Sequence, residues 1–225
     1  MAARLVAIDT STERLVLAVA TPDGVLTRDE TGGPRTSTRL LPALRELLAE
    51  AGLTLAAVDA IAFARGPGAF TGLRAACAVA QGLALGLVRA VLPLDSLLVV
   101  ADDARAQGAG DDVGVAMDAR MDEVYAGHYV HDGTRWQVRQ PPALWALPPL
   151  VEAWQRDPPA AVAGSALNVF GDRLMLPPAV VTWPEPGDRA AALMRLAQAA
   201  WRDGAAVDAA DALPLYVRDK VALTT

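Results

Sequence analysis

This sequence of 225 residues is poor in the side chains that support redox and metal chemistry, since it has one cysteine and two histidines. The lone cysteine, Cys77, cannot form an internal disulfide, and its place inside a predicted helix favours packing over nucleophilic catalysis. His128 and His131 are three residues apart in a predicted strand, so they lie on opposite faces and cannot bind one metal ion. The sequence therefore predicts no metal site.

Positive charge is also scarce, because the formal net charge is −6 and Lys220 is the only lysine. Neutralising phosphates supplies much of the affinity of proteins for nucleic acid, so this balance argues against a chain that holds RNA by itself. No apolar run reaches the length of a membrane span, and the first residues lack the layout of a secretion signal. With a hydrophobic fraction of 53%, we expect a folded, cytoplasmic protein.

What the chain does contain is a glycine-rich turn, Gly66-Pro67-Gly68, between an apolar run at 58–64 and a predicted helix at 72–87. Glycine permits positive φ, proline fixes φ, and Thr71 is a candidate N-cap for the helix. A turn of this kind either presents backbone N–H groups to a phosphate or lets two backbones pack closely. The residue types by themselves leave both alternatives open.

The chain also matches itself weakly at an offset of 109 residues. Val6–Asp9 aligns with Val115–Asp118, and Asp23-Gly24 aligns with Asp132-Gly133. Both copies run from a strand through a tight loop to a second strand that ends in an Asp-Gly hairpin turn. This layout indicates a duplication and predicts two related α/β lobes.

The predicted lobes are residues 1–108 and 109–225, and apolar periodicity and turn residues place their elements. The first lobe is predicted to have strands at 4–8, 14–20, 25–30, 58–64 and 90–92 and helices at 38–51, 72–87 and 96–107. The second is predicted to have strands at 113–118, 123–131, 134–139 and 160–163, a proline-rich loop at 141–149 before a short helix, and a helix at 189–203 with Asp188 as its N-cap.

Nine residues, Gly66–Arg74 (GPGAFTGLR), resemble the signature of the bacterial TsaB family, also called YeaZ. Four more segments resemble the family in the expected order along the chain: Ala7–Glu13, Arg39–Pro42, Met117–Tyr125 and Pro214–Arg218. A histidine usual just before the first helix is absent, and Thr36–Thr38 stands there instead. The resemblance therefore covers nearly the whole chain, but no role of that histidine is expected here.

The resemblance and the repeat together imply the actin-like ATPase fold of sugar kinases and chaperones. In active members of that superfamily, each lobe has a phosphate loop that begins Asp-x-Gly. The loops here are Asp9-Thr10-Ser11 and Asp118-Ala119-Arg120, so the aspartates remain but the glycine that lets N–H groups reach phosphate is absent. The candidate nucleotide site consists of Asp9, Thr10, Ser11 and Asp118. Alternatively, each aspartate caps the backbone of a loop that has lost its ligand.

Members of the TsaB family take part in making threonylcarbamoyladenosine next to the anticodon of certain tRNAs. The resemblance implies a subunit that is not catalytic alone but scaffolds and activates a TsaD-like catalytic subunit, with a TsaE-like ATPase joining the assembly. It also implies a possible homodimer, tRNA contact only through the complex, no tightly bound cofactor, and ATP or ADP only in the complex. The alternatives are a stand-alone ATPase or small-molecule kinase of the same fold, and a glycoprotease-like peptidase.

The resemblance further implies that two helices contact TsaD or a second copy of the chain. Glycines inside a helix cost roughly 1 kcal/mol each relative to alanine, so several on one face indicate that another backbone approaches closely. The predicted partner face of helix 72–87 is Gly72, Ala75, Val79, Gly82 and Gly86. Helix 38–51 is predicted to contribute Leu40, Leu44 and Leu47. The alternative is that this face of small residues packs against another element of its own lobe and contacts no partner.

Overall fold

The computed structural model describes residues 3–33 and 36–218, which divide into two compact units. The first unit runs to Val99 and takes up the chain again at Asp188–Leu215, and the second is Val100–Gly187 with the residues from Tyr216. The strands are β1 (Leu5–Asp9), β2 (Arg14–Thr21), β3 (Gly24–Thr31), β4 (Ala60–Gly66), β5 (Ala90–Asp95), β6 (Asp112–Asp118), β7 (Glu123–His131), β8 (Trp136–Ala146), β9 (Ala161–Ala163) and β10 (Val181–Trp183). The helices are α1 (Thr36–Glu50), α2 (Phe70–Leu87), α3 (Ser96–Ala106), α4 (Leu147–Arg156), α5 (Ala166–Phe170) and α6 (Arg189–Arg202).

Each unit is built on one five-stranded mixed sheet. The strand order is β3-β2-β1-β4-β5 in the first unit and β10-β9-β6-β7-β8 in the second. In both, the first three strands in chain order pair antiparallel and the remaining two add in parallel. Because β1 and β6 hold equivalent positions, the two sheets repeat one topology, and the predicted duplication of an α/β lobe is confirmed.

Helix α6 belongs to the first unit, which differs from the predicted division at residue 108. Val6 and Ile8 of β1 point into the core beneath α1 and α2. Leu5 and Ala7 alternate with them and are also fully buried, because α6 packs across β1, β2 and β3. A strand that is buried on both faces has apolar residues at successive positions. For β1, the second face is buried by α6, which lies far along the chain.

Two further expectations about local structure are wrong. The stretch 141–146 is not a loop but the end of β8, an edge strand in which Pro141 and Pro142 stand opposite Gly127 in a bulge. An edge strand tolerates proline, since the missing N–H faces away from the ladder. Thr71 is not an N-cap, because α2 begins at Phe70, two residues earlier than predicted, and Ala69 is the N-cap residue without a capping side chain.

Helix α2 is long and consists largely of small apolar residues. Its 18 residues have a mean hydropathy of 1.3, long and apolar enough to cross a membrane by length and composition, contrary to the sequence-based expectation. A single such helix is weak evidence, because core helices of globular proteins pass the same test. Its buried side chains, among them Ala76, Cys77 and Ala80, belong to the core of the first unit.

Candidate functional site

The loop after β1 holds three of the four predicted nucleotide-site residues, Asp9, Thr10 and Ser11, and all three are buried. One carboxylate oxygen of Asp9, Oδ1, accepts a hydrogen bond of 2.7 Å from the Ser11 N–H. The other, Oδ2, accepts one of 2.9 Å from Nε of Arg189, the first residue of α6. Nη2 of Arg189 also donates to Ser11 Oγ at 3.0 Å. Both oxygens of Asp9, the aspartate of the candidate nucleotide site, are therefore engaged within the first unit.

The glycine-rich turn after β4 packs directly against this loop. The Ala69 N–H donates to the Ser11 carbonyl at 2.7 Å, and Thr10 Oγ1 donates to the Gly72 carbonyl at 2.7 Å. A Cβ atom at Gly68 would collide with the Ser11 carbonyl oxygen, and one at Gly72 would collide with that of Thr10. The two glycines therefore serve the close approach of two backbones, which is the packing alternative left open by the sequence.

Two features of the structure, a positive φ and a close backbone contact, require glycine at position 66. Its φ of +120° lies in the region that favours glycine, and a Cβ atom there would come within 2.6 Å of the Leu215 carbonyl oxygen. The Gly66 N–H donates to Oγ of Ser96 at 2.9 Å. The turn thus holds the end of β4 against the chain segment that follows α6.

Asp118, the fourth predicted residue, lies in the second unit and plays the same local role as Asp9. Its Oδ1 accepts the Arg120 N–H at 2.9 Å, as Asp9 accepts the N–H two residues on. The Asp118 N–H donates to Ser165 Oγ at 3.1 Å, and its carboxylate pairs with the Arg120 guanidinium at 3.1 Å. In both repeats the aspartate therefore caps its own loop through the N–H two residues further on.

The loop after β6 has an unusual backbone. Arg120, Met121 and Asp122 all have φ near +60°, a left-handed conformation that costs roughly 1–2 kcal/mol for each residue other than glycine. Arg173 braces the loop through two hydrogen bonds to the Asp122 carboxylate, and these lower the pKa of Asp122. Nη2 of Arg218 donates to the Ala119 carbonyl at 2.8 Å. Glycine is absent where the backbone would most favour it, so this loop is held by side chains.

The predicted partner face divides into residues that are buried and residues that are not. Leu40, Leu44 and Leu47 are buried in the core of their own unit, so the prediction that they form a partner surface is wrong. Their apolar stripe faces the sheet, as in any amphipathic surface helix. Gly72 is likewise internal, packed on Thr10.

The remaining residues of that face differ from these four. Ala75 and Val79 are half-buried, whereas Gly82 and Gly86 are exposed. A Cβ atom at either glycine would meet no atom within 4 Å, so nothing in the described chain requires glycine there. Leu85 is 65% exposed beside them, and Leu41 of α1 is 45% exposed. The exposed part of the predicted face is therefore the C-terminal half of α2.

Both histidines and the cysteine make contacts within their own units. His128 is buried and hydrogen bonds to Asp112, and the His131 ring meets Trp136 edge-on at 5.1 Å. Burial raises the pKa of the Cys77 thiol, whose Sγ lies 3.1 Å from the Ala212 carbonyl oxygen. Among residues 3–33 and 36–218, no group of three or more His, Cys, Asp and Glu side chains could hold a metal ion.

Arg189 is the residue that sequence reasoning missed. The sequence predicts a helix that starts at this position after the Asp188 cap, and Asp188 does accept the Ala191 N–H. Nothing local distinguishes Arg189 from the exposed arginines of the same helix, because its partners are about 180 residues away. A buried arginine is seldom without a carboxylate, but only the fold shows which one it meets.

The duplicated sheets define the class: a two-unit α/β protein in which both units repeat one sheet topology. Comparisons with known proteins narrow this class. Residues 30–151 match the family model of TsaD, tRNA N6-adenosine threonylcarbamoyltransferase. The Haemophilus influenzae protein named tRNA threonylcarbamoyladenosine biosynthesis protein TsaB is 43% identical over 132 residues, 58% of this chain and 56% of that protein. The match thus spans little more than half the length of this curated relative.

Solved structures match over nearly the whole chain. YeaZ from Pseudomonas aeruginosa is 38% identical with a TM-score of 0.84, covering 95% of this chain and 99% of that one. A second structure from Pseudomonas aeruginosa, of an uncharacterized protein with similarity to peptidase YEAZ, has a TM-score of 0.86 at 38% identity, covering 96% and 100%. The chain belongs to the TsaB (YeaZ) family.

Proposed function

We propose that this chain is a non-catalytic, cytoplasmic subunit of the machinery that makes threonylcarbamoyladenosine in tRNA, where it scaffolds and activates a TsaD-like catalytic subunit. Family membership supports the process, since the curated TsaB relatives are named tRNA threonylcarbamoyladenosine biosynthesis proteins. The observation that carries the non-catalytic role is the loop after β1, where Asp9 already binds Arg189 and a backbone N–H. Because this carboxylate is 2% exposed and already paired with a guanidinium, it is not accessible to orient a metal-bound water.

The same geometry supports the absence of a tightly bound nucleotide. Phosphate needs several free backbone N–H groups and space for its oxygens. In the first loop, the Ser11 N–H points to Asp9, and the Thr10 and Ser11 carbonyls are covered by Gly72 and Gly68. In the second unit, the Arg120 N–H points to Asp118. ATP or ADP would then enter only as part of the complex, as tRNA would.

The exposed half of α2 is the surface we assign to the partner. Gly82 and Gly86 leave the helix backbone bare on this side, and Leu85 beside them has no cover in the described chain. Bare backbone lets a second helix approach closely, and an exposed leucine gains by burial at roughly 25 cal/mol per Å². In the absence of the TsaD-like subunit, a second copy of the chain would use the same face, and a TsaE-like ATPase would join the heterodimer.

The test is Gly82→Leu, assayed with the TsaD-family protein on a sizing column and in threonylcarbamoyl transfer to tRNA. Because the position is exposed and open and leucine favours the helix over glycine, the variant chain should melt at or slightly above the wild type but lose co-elution and the partner-dependent transfer. Gln155→Leu, which adds a leucine to an exposed position of α4 in the second unit, is the matched control and should keep both.

Two outcomes would contradict the proposal. If Gly82→Leu melts normally and still co-elutes, α2 is not the interface. If the wild-type chain alone hydrolyses ATP and loses that turnover on Asp9→Ala or Asp118→Ala, the chain is an ATPase or kinase rather than a scaffold. Casein digestion by the purified chain would instead support the peptidase.

A further inference from the structure

Arg189 is an arginine buried in the first unit whose partners come from the opposite end of the chain. Its side chain is 8% exposed and that of Asp9 is 2% exposed, with 2.9 Å between Nε and Oδ2. A buried ion pair stabilises only if its remaining hydrogen-bonding atoms are also satisfied. Ser11 Oγ accepts a hydrogen bond from Nη2 of Arg189, and the Ser11 N–H donates a hydrogen bond to the second oxygen of Asp9. Arg189, Asp9 and Ser11 therefore form a closed ring of contacts.

This ring is connected to the start of α2 through the backbone of the loop. The Ser11 carbonyl accepts the Ala69 N–H, one of the orphan donors at a helix N-terminus, and Ala69 itself has no side chain that could cap. One residue earlier, Thr10 Oγ1 donates to the Gly72 carbonyl in the first turn. Gly68 and Gly72 bring these backbones together so closely that neither can move without the other.

We propose that Arg189 is a positioning residue, whose guanidinium neutralises the buried Asp9 carboxylate and holds Ser11, and thereby fixes the first turn of α2. The remnant of the phosphate loop is then a clamp. It runs from α6 through Asp9 and Ser11 to α2, the helix that carries the exposed glycines. Its relevance to the partner rests on the proposed function, but the clamp is a property of this chain alone.

The decisive experiment is hydrogen exchange on Arg189→Ala, with the exposed Arg202→Ala of the same helix as the matched control. Loss of a charge-assisted hydrogen bond should speed exchange at the amides of Ala69–Leu73 by about tenfold or more. The amides of β6 and β7 in the second unit should keep their rates, as should all amides in Arg202→Ala. Guanidinium ion at a concentration that does not denature the wild type should restore slow exchange, which a merely global loss of stability would not allow.

Arg189→Lys covers the case in which the alanine variant does not fold. A lysine ammonium keeps the positive charge but lacks the rigid fork with which the guanidinium holds Asp9 and Ser11 together, so exchange at Ala69–Leu73 should fall between the wild type and Arg189→Ala. Wild-type exchange rates at these amides in both Arg189 variants would overturn the inference. So would a uniform rise across both units that guanidinium ion does not reverse.

Binding of the TsaD-family protein separates this inference from the proposed function. If both hold, Arg189→Ala weakens that binding by about tenfold, and Arg202→Ala does not. If the wild type does not bind at all, the proposed function fails, while the exchange data still decide whether Arg189 is the clamp. If exchange changes as expected but binding does not, α2 is positioned by Arg189 without being the partner helix, and the partner part of the inference is wrong.

Discussion

The two glycines Gly72 and Gly82 lie on one face of α2, yet the same substitution should have opposite effects at the two positions. Gly72→Ala would place a methyl group against the Thr10 carbonyl oxygen, far inside the 3.0 Å below which Cβ contacts essentially never occur. Both atoms belong to backbone, so neither side can yield by changing a rotamer. Gly82→Ala would meet nothing within 4 Å.

The magnitude at Gly72 follows from three effects. Overpacking a closed site costs about 1–3 kcal/mol. Moving the two backbones apart breaks the hydrogen bond that Thr10 Oγ1 donates to the Gly72 carbonyl, which leaves a fully buried hydroxyl unpaired at about 1–3 kcal/mol. Alanine returns roughly 1 kcal/mol of helix propensity. The net loss is about 3 kcal/mol, or roughly 6–12 °C in Tm for a chain of this size. At Gly82 only the propensity gain remains, so Tm should rise by roughly 2–4 °C.

Thermal melts of the two variants and the wild type, followed by circular dichroism, measure this difference. Because both variants change one glycine to alanine in one helix, effects on the unfolded chain cancel between them. A Gly72→Ala chain that melts at or above the wild type would refute the claim that the turn and the loop after β1 are in backbone contact. A Gly82→Ala chain that melts well below the wild type would show that the exposed face of α2 is covered in solution.

Two other predictions concern single side chains. Hydrogen bonding from Arg39, opposed by desolvation and aided by Arg28, lowers the pKa of Glu46 to about 2, so its contribution to stability is present above about pH 4.5 and is lost as pH falls toward 2. The Tm difference between the wild type and Glu46→Gln should therefore be largest near neutral pH and vanish at about pH 2; a difference independent of pH would contradict the assignment. Cys77 is buried with a raised pKa, and since the thiolate is the reactive form, a thiol reagent at pH 8 should label the native chain at least about tenfold more slowly than the denatured chain. Equal rates in the two states would mean that the side of α2 that carries Cys77 is not packed against the core of the first unit.

Much of the architecture could be predicted because it depends on short-range order. The strands β1 to β7, helices α1 to α3 and the Asp188 cap lie within a few residues of their predicted positions. Each is specified by an apolar period or a turn residue that acts within a few positions along the chain. The motifs from Ala7 to Arg218 in turn placed the chain in its family before any contact was known. What local patterns missed were the short elements α5 and β10 and the extension of β8, where period and propensity carry little signal.

Only the tertiary structure decided which faces these elements present. The stripe of Leu40, Leu44 and Leu47 has the same period whether it faces a sheet or a partner, and the fold puts it in the core. Gly72 and Gly82 are the same residue type on the same face of α2. A Cβ atom at Gly72 would meet the Thr10 backbone, whereas one at Gly82 would meet nothing within 4 Å. The pairing of Arg189 with Asp9 joins residues 180 positions apart. The sequence determines which groups are able to interact, whereas the fold determines the distances between them and therefore which of them do interact.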